Sequence, residues 1–418
     1  MRPINPRFVT AACLIVTIYS GCGADDAGLA DDTGMQTAQI QFDDHATTVY
    51  IGTYTRGFAC PPPPESGGEC VSKGIYRATF NSATGSLSEP ELAAHSDNPS
   101  YLSVHPDGWN LYSVNEVGDF QGQNTGAVTA YAIGHNGRLH FINQLPSHGA
   151  DPAHISVTAS GRHVLVANYT GGNVSSYRIG DNGQLIDGNT VADIGVPGPH
   201  PNQDAAHAHF IVEGSIPGLI YVADLGLDRV FLYDLDRHSG HLSPHAAEPF
   251  VTLPPATGPR HIAFHPNQKF LYTNNELSTS ASVFARNPHT GELTQPELQK
   301  ISTIPLPFAG RNDNGEIQIS RDGRFVYVSN RGHDSITTFS VNPHTGLLTM
   351  IDNVPSGGHE PRDFKIDPSG KFLLVAHHIS DDIAIFRINQ ATGKVRQIGA
   401  TIKLSKPVNF AFVPAHDH

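Results

Sequence analysis

An arginine and a glutamate stand at the two outer ends of one predicted β-hairpin. The stretch GPRHIAFHPNQKFLYTNNE, residues 258–276, contains two segments of alternating apolar and polar residues joined by the turn residues PNQ. Because a hairpin brings its outer ends together, we expect Arg260 and Glu276 to lie at the same edge of a sheet. A guanidinium group binds carboxylate or phosphate through two parallel hydrogen bonds, and a carboxylate can exchange a proton with water. The pair therefore indicates either a structural ion pair or part of a site for an anionic molecule.

Related hairpins bring other reactive side chains to corresponding ends of their strands. These side chains are Glu116, His154, Asn168, Tyr169, His207, His209, Asp224, Glu316, Arg331, Arg362 and His378. A single charged residue at a strand end is most simply a structural ion-pair partner, but three arginines on one rim favour an anionic ligand. Glu276 and His209 could exchange protons beside that ligand at neutral pH.

A metal site is the weaker interpretation of the histidines. The spacing His207-x-His209 could chelate an ion, and the chain has 24 histidines. No carboxylate-rich or cysteine-rich set accompanies the pair, so we expect no metal and no other cofactor. The sequence also contains neither a GxSxG motif nor a P-loop, which gives no support to a serine hydrolase or a nucleotidase.

The hairpins belong to a repeat that runs through most of the chain. The predicted second strands end at Thr53, Asn115, Asn168, Asp224, Asn275, Asn330 and His377, at intervals of 47 to 62 residues. A third strand such as RVFLYDL and a glycine-containing turn that opens a fourth strand follow each hairpin. Four antiparallel strands repeated seven times predict an all-β fold, a single seven-bladed β-propeller over residues 47–418. The innermost strands of such a fold line a central channel, so the reactive side chains converge on one face.

The two ends of the repeat complement each other. The segment TVYIGTYT near the start resembles a second strand without a first, and PVNFAFVP near the end resembles a first strand without a second. We therefore expect the two to pair in one blade and close the ring, which removes its open sheet edges.

The composition excludes one class of partner. The chain has 418 residues, with 39 acidic against 26 basic side chains and a formal charge of −13. A nucleic-acid-binding protein normally carries a net basic surface, so nucleic acid is not an expected partner.

The first 46 residues read as a targeting segment and a tether. Two arginines precede the apolar run FVTAACLIVTIY, which is too short to span a bilayer and is typical of a signal peptide covering residues 1–21. Ser20, Gly21 and Cys22 resemble the end of a bacterial lipobox, although Tyr19 replaces the usual aliphatic residue. We expect export to the periplasm or cell surface with a lipid on Cys22; plain secretion is the alternative. Residues 22–46 form an acidic tether, predicted to be disordered.

Two further cysteines flank a loop rich in proline and glycine. Cys60 and Cys70 enclose PPPPESGGE, and in an oxidising compartment this spacing favours a disulfide bond. A metal-binding pair is the alternative, but no nearby residue completes a tetrahedral set.

Several longer motifs resemble one enzyme family. PHPNQDAAHAHF, DLGLDRVFLYDL, GPRHIAFHP, YTNNE, VSNRGHDSI and PRDFKIDPSGKFLLVAHH are similar to segments of the propeller-type lactonases, which include bacterial 6-phosphogluconolactonases and fungal carboxymuconate-cyclising enzymes. The resemblance implies a seven-bladed propeller without an obligatory metal that acts on lactones of acidic, often sugar-derived compounds. It places the family's functional residues at His209 (with His207 as the rival), Arg260, Glu276 and Arg331. The sequence departs from the family in its export signal, which argues against a phosphosugar substrate, and in Asp363, where asparagine is common.

These observations together predict an exported lactonase. Water would attack the lactone carbonyl with Glu276 and His209 as acid–base groups, while Arg260 and Arg331 hold the anionic group and stabilise the oxyanion. The further residues expected to bind the substrate are His207, Arg362, Glu116, Glu316 and His154. Two alternatives remain, namely lactone formation from a muconate-like diacid and a non-catalytic binding propeller.

Overall fold

The computed structural model describes residues 45–57 and 71–414, and within these ranges the regular elements are all β-strands. The predicted signal peptide, nearly all of the acidic tether, Cys22, Cys60 and Cys70 lie outside the described residues. Within the described part, no helix has the length and apolar character needed to cross a membrane.

Thirty strands follow one another along the chain. They are β1 (Ala46–Thr53), β2 (Gly74–Asn81), β3 (Ser86–Leu87), β4 (Glu91–His95), β5 (Leu102–Val104), β6 (Asn110–Asn115), β7 (Ala127–Ile133), β8 (Leu139–Pro146), β9 (Pro152–Val157), β10 (His163–Asn168), β11 (Asn173–Ile179), β12 (Leu185–Ala192), β13 (Ala208–Glu213), β14 (Leu219–Asp224), β15 (Arg229–Leu235), β16 (Leu242–Pro244), β17 (Phe250–Thr252), β18 (Pro259–Phe264), β19 (Phe270–Asn275), β20 (Ser280–Ala285), β21 (Gln299–Ser302), β22 (Asp313–Ile319), β23 (Phe325–Arg331), β24 (Ser335–Val341), β25 (Leu348–Pro355), β26 (Pro361–Ile366), β27 (Phe372–His377), β28 (Asp382–Ile388), β29 (Val395–Lys403) and β30 (Pro407–Phe412).

The strands form seven antiparallel sheets, which confirms the predicted seven-bladed propeller. Five blades are simple four-stranded meanders in chain order, β5–β8, β9–β12, β18–β21, β22–β25 and β26–β29. In the blade of β13 to β17 the outer position is shared by β16 and β17, which both pair with β15. Six of the seven predicted second-strand ends agree with the structure, and β23 extends one residue further, to Arg331.

The last blade joins the two ends of the domain, as predicted. Strand β30 pairs with β1, placing Phe410 opposite Ile51 and Phe412 opposite Val49. Strands β2, β3 and β4 complete this blade. No blade edge is therefore left open where the chain begins and ends.

The apolar core lies between consecutive blades rather than within one blade. One cluster packs Leu165 and Val174 of the third blade against Ile220 and Phe231 of the fourth, and similar clusters follow around the ring. Alternation along each strand produces this arrangement, because the two faces of a blade each meet a neighbour.

A tyrosine on the second strand of a blade repeatedly bonds the next blade. The hydroxyls of Tyr50, Tyr112, Tyr221, Tyr272 and Tyr327 donate to the carbonyls of Gly137, Gly183, Gly291, Gly346 and Gly393 over 2.5–3.1 Å. Each glycine has a φ of 72–80° in the turn before an outer strand, a conformation that costs other residues energy. The glycine-containing turns of the repeat thus also fix one blade to the next.

Candidate active site

A cavity of about 270 Å³ occupies one mouth of the channel, and we call it the front cavity. It is lined by Glu116, Asp151, Ala153, Tyr169, Thr170, His209, Glu276, Arg331 and Arg362. These residues come from the starts of innermost strands and the ends of second strands, which meet at the same mouth because the strands are antiparallel. Of the predicted residues, the structure brings Glu116, His209, Glu276, Arg331 and Arg362 together here.

Irregular pairing at the starts of the innermost strands helps to direct these side chains. The register shifts at Ala208/Phe210, Pro259/His261, Asn314/Ile317 and Pro361/Asp363. Such bulges bend a strand locally and turn a side chain towards a site.

Glu276 lies between two arginines. Its Oε2 is 2.9 Å from Arg260 Nε and 2.8 Å from Arg331 Nη2. Burial alone would raise the pKa of Glu276, but the guanidinium groups of Arg331, Arg260 and Arg362 outweigh it and hold the pKa below its usual value. Glu276 is therefore ionised at neutral pH, and both of its closest ion pairs use the same oxygen.

Arg260 and Arg331 are also held by the protein behind them. Arg260 Nη1 donates to the carbonyl of Gly315 and contacts His261 Nε2 at 3.0 Å. Arg331 Nη2 donates to the carbonyl of Asn314 at 2.9 Å. Burial, aided by repulsion from Arg331, lowers the pKa of Arg260 to about 10, so the side chain is still charged at neutral pH.

Arg362 is the least constrained of the three arginines. Its Nη2 lies 3.8 Å from Glu116 Oε1, at the outer limit of an ion pair, and its guanidinium carbon lies 5.1 Å from the centre of the Tyr54 ring. Tyr54 donates its hydroxyl to both oxygens of Glu116 at 2.9 and 3.0 Å. Burial raises the pKa of Glu116 despite the charge of Arg362.

The structure separates the roles of His209 and His207 by their surroundings. His209 lines the front cavity, and its buried Nδ1 has no hydrogen-bond partner among the described residues. Burial, and next the charge of Arg260, hold its pKa well below 6.5, so the ring is neutral. His207 instead pairs with Asp204 at 2.8 Å and stacks on Tyr169 with ring centres 4.5 Å apart. His209 is thus the histidine that a molecule in the cavity can contact.

His154 and Glu316, two predicted substrate-binding residues, line a different cavity. This rear cavity has about 370 Å³ and lies further along the same innermost strands, where Tyr101, Phe210 and Lys365 also border it. A partition of rings separates the two cavities, with the His154 ring centre 3.9 Å from that of Phe210 and the Phe210 centre 4.8 Å from that of His261. Neither His154 nor Glu316 borders the front cavity.

Three residues of the front cavity were not singled out from the sequence, Asp151, Ala153 and Thr170. Asp151 has a φ of 51°, which is uncommon for a residue other than glycine and is seen where a functional or turn geometry requires it. One feature of the sequence could have identified Asp151, because it directly precedes Pro152, the first residue of an innermost strand. Pro259 and Pro361 are the first residues of the innermost strands of two other blades. Among residues 45–57 and 71–414, no group of three or more His, Cys, Asp or Glu side chains is arranged to hold a metal ion.

The fold and the site together define a seven-bladed propeller with an arginine-rich cavity around one ionised glutamate at its channel mouth. Residues 48–412 match the family described as "Lactonase, 7-bladed beta-propeller". The chain belongs to this lactonase family.

Named relatives agree with this assignment. The 6-phosphogluconolactonase of Bacillus subtilis is 36% identical over 318 residues, which cover 75% of this chain and 83% of the relative. A solved periplasmic gluconolactonase of Pseudomonas aeruginosa has a TM-score of 0.78 and 32% identity, covering 88% of this chain and 99% of its own. A putative 6-phosphogluconolactonase from Bacteroides fragilis has a TM-score of 0.79 and 31% identity, covering 90% of this chain and 100% of its own.

Proposed function

We propose that this protein hydrolyses a sugar-derived lactone that carries an acidic group, and that it does so outside the cytoplasm. The observation that carries the proposal is the position of Glu276, ionised, inside the front cavity and between Arg260 and Arg331. The relatives named as lactonases support the reaction class.

The two sides of Glu276 perform different tasks in this proposal. Oε2 is occupied by the arginines, so Oε1 is the oxygen that can accept a proton from water. The oxygen of that water bonds to the lactone carbonyl carbon, the ring C–O bond breaks, and the leaving oxygen takes up a proton to give a hydroxy acid. Because the Nδ1 of neutral His209 is sealed from solvent, its Nε2 is the nitrogen that donates a hydrogen bond to the substrate oxygen.

Arg362 binds the acidic group of the substrate in this proposal, with Arg331 beside it in the front cavity. Arg260 and Arg331 already satisfy protein acceptors, whereas the nearest carboxylate oxygen to Arg362 is 3.8 Å away. Arg362 can therefore supply two parallel hydrogen bonds to a carboxylate or phosphate with the smallest loss of existing contacts. Arg331 adds positive charge at the same cavity wall.

A pH-stat screen tests the reaction and the charge preference. Purified protein without residues 1–21 is offered 6-phosphoglucono-δ-lactone, glucono-δ-lactone and a neutral alkyl lactone, each corrected for spontaneous hydrolysis. We expect a higher kcat/KM on 6-phosphoglucono-δ-lactone, the acidic compound of the three, than on either neutral lactone. Acceleration of the alkyl lactone alone, or of none of the three, would contradict the proposal.

Export is tested separately from catalysis. The apolar run before Cys22 and the periplasmic location stated for the Pseudomonas relative support it. Cells expressing the full chain should incorporate labelled fatty acid into the protein, and Cys22→Ser should abolish the label. Mass spectrometry of unreduced exported protein should find Cys60 bonded to Cys70. Protein retained in the cytoplasm with two free thiols would overturn the proposed location.

A further inference from the structure

A row of buried polar side chains leads away from the front cavity through the partition. Arg260 Nη1 lies 3.0 Å from His261 Nε2, and His261 Nδ1 lies 2.6 Å from Glu316 Oε2. The side chains of His261 and Glu316 are only 2% and 5% exposed. A buried polar atom without a hydrogen-bond partner costs free energy, so each of these contacts should join a donor to an acceptor.

The contacts of His261 fix its tautomer. A guanidinium group can only donate, so His261 Nε2 must be the acceptor for Arg260. The ring proton then sits on Nδ1 and is donated to Glu316 Oε2. The ring is neutral, because burial and next the charge of Arg260 hold the pKa of His261 well below 6.5.

A second carboxyl group completes the row. Asp363 and Glu316 are both buried, and each carboxyl group shifts the pKa of the other. Asp363 Oδ2 accepts from Asn409 Nδ2 at 3.0 Å, while Oδ1 finds no donor among the described residues. A proton on Oδ1 removes this conflict, because it turns the unpartnered acceptor into a donor towards Glu316. Burial is the main cause that raises the pKa of both carboxyl groups, and their mutual repulsion raises that of Asp363 further.

We propose that Asp363, Glu316 and His261 are positioning residues that orient Arg260 through a single retained proton on Asp363. The protonated Asp363 donates to Glu316, Glu316 accepts from His261 Nδ1, and His261 Nε2 accepts from Arg260. Glu316 therefore acts on the front cavity from behind rather than by touching substrate. The proposal rests on the proposed lactonase function in one respect only, namely that the orientation of Arg260 affects turnover.

A double-mutant cycle tests whether His261 acts through Arg260. His261→Phe keeps a ring in the partition but removes the acceptor, and we expect kcat/KM to fall about 10–100-fold, mainly in kcat, as misplacement of a site group by about 1 Å does. In an Arg260→Met background the same change should cost less than about twofold, because residues that act as a unit are not additive. Equal losses in both backgrounds would overturn the proposal.

Two substitutions at Asp363 test the proton. Asp363→Asn supplies an amide donor to Glu316 and an acceptor to Asn409, so activity should stay within about twofold. Asp363→Leu has the same branched shape, with methyl groups in place of the oxygens, but supplies neither, so it should lose as much as His261→Phe. If His261→Phe does not fold, this pair decides the question. Losses of the same size for Asn and Leu would overturn the single-proton assignment.

An infrared difference spectrum separates this proposal from the proposed function. The wild-type protein minus Asp363→Asn should show the carbonyl band of one protonated carboxylic acid, at neutral pH and without substrate. The band in a protein that hydrolyses no lactone would leave the proton assignment standing and refute the function. Normal lactone hydrolysis without the band would refute the assignment alone.

Discussion

Glu276 borders the front cavity and Glu316 borders the rear cavity, and the pKa values of these two buried glutamates are shifted in opposite directions. In the front cavity, Glu276 has two guanidinium groups within 3 Å, and its pKa is lowered. In the rear cavity, Glu316 has a neutral histidine at 2.6 Å and a second carboxyl group beside it, and its pKa is raised. Burial acts on both glutamates in the same direction, so burial does not explain the difference.

The number of nearby cations decides the outcome. Arginines close to Glu276 overcome the cost of burying its charge, whereas the cations that act on Glu316, Lys365 and Arg260, do not. The channel therefore has a charged end suited to binding and proton exchange, and an end that retains a proton. Substitutions at Glu276, Arg362, Asp363 and His154 test this difference between the two ends of the channel.

The largest effect is expected for Glu276→Gln. The amide cannot accept a proton from water, so turnover should fall about 10²–10⁴-fold. The melting temperature should also fall, because two buried arginines lose their counter-ion. The measurements are kcat at a temperature where the variant is folded and a thermal melt, with Glu292→Gln outside the channel as the control. Normal turnover in a folded Glu276→Gln protein would remove the front cavity from catalysis.

Exchange of arginine for lysine should have the next largest effect. Arg362→Lys keeps the charge but loses the paired hydrogen bonds, so kcat/KM for an acidic lactone should fall about 10–100-fold. A neutral lactone should lose much less. The control is Arg286→Lys, since Arg286 is buried, bonds Tyr221 and Gln268, and lines neither cavity. Equal losses on acidic and neutral lactones would mean that Arg362 supports the cavity wall and does not bind the anion.

The pH dependence of stability should have opposite signs for Glu276 and for the pair Asp363 and Glu316. Glu276 has a lowered pKa, so its contribution is present above pH 4.5 and is lost as the pH falls through its folded value. Asp363 and Glu316 have raised pKa values, so their protonated pair loses stability as the pH rises above the ordinary range of 3.8–4.5. Glu276→Gln should flatten the acidic side of a plot of melting temperature against pH, and Asp363→Asn the alkaline side. The same change on both sides for either variant would contradict the contrast.

The smallest expected effect concerns His154 in the partition. Its ring lies between Tyr101 and Phe210, and burial holds its pKa well below 6.5. Below pH 6.5 the unfolded chain gains a proton there and the folded chain does not, so stability falls by up to about 1.4 kcal/mol per pH unit. His154→Phe should therefore raise the melting temperature relative to wild type at pH 5.5 but not at pH 7.5. A pH-independent difference would show that folding does not change the pKa of His154, which would contradict the effect of its burial.

The sequence predicted the blades well because their signals are local. Alternation along each strand and a glycine before each outer strand mark the repeat, and antiparallel topology then places all the hairpin ends at one mouth. This reasoning was sufficient to bring Glu276, Arg331, Arg362 and His209 into one cavity. For this step it was enough to know which residues stand at the ends of the predicted strands.

The depth of a residue in the channel could not be predicted in the same way. His209 is the second residue of β13 and faces the front cavity, whereas His154 is the third residue of β9 and Glu316 the fourth of β22, and both face the rear cavity. Each residue advances a strand by about 3.3 Å, so an error of one residue in a strand start decides which side of the partition is reached. The register also shifts at the starts of β13 and β22, and the alternation of apolar and polar residues does not mark these shifts.

The pairing of β30 with β1 also has a consequence for the time course of folding. The first strand of the domain gains its second partner only after β30 has been made, so the ring of blades cannot close before residues 407–412 are available. Until then, the growing row of blades has one edge strand without its partner and a channel open on one side. The front cavity draws residues from blades on both sides of the chain ends, including Glu116 and Arg362. The binding site is therefore completed only after β30 has paired with β1, the last pairing that the chain can form.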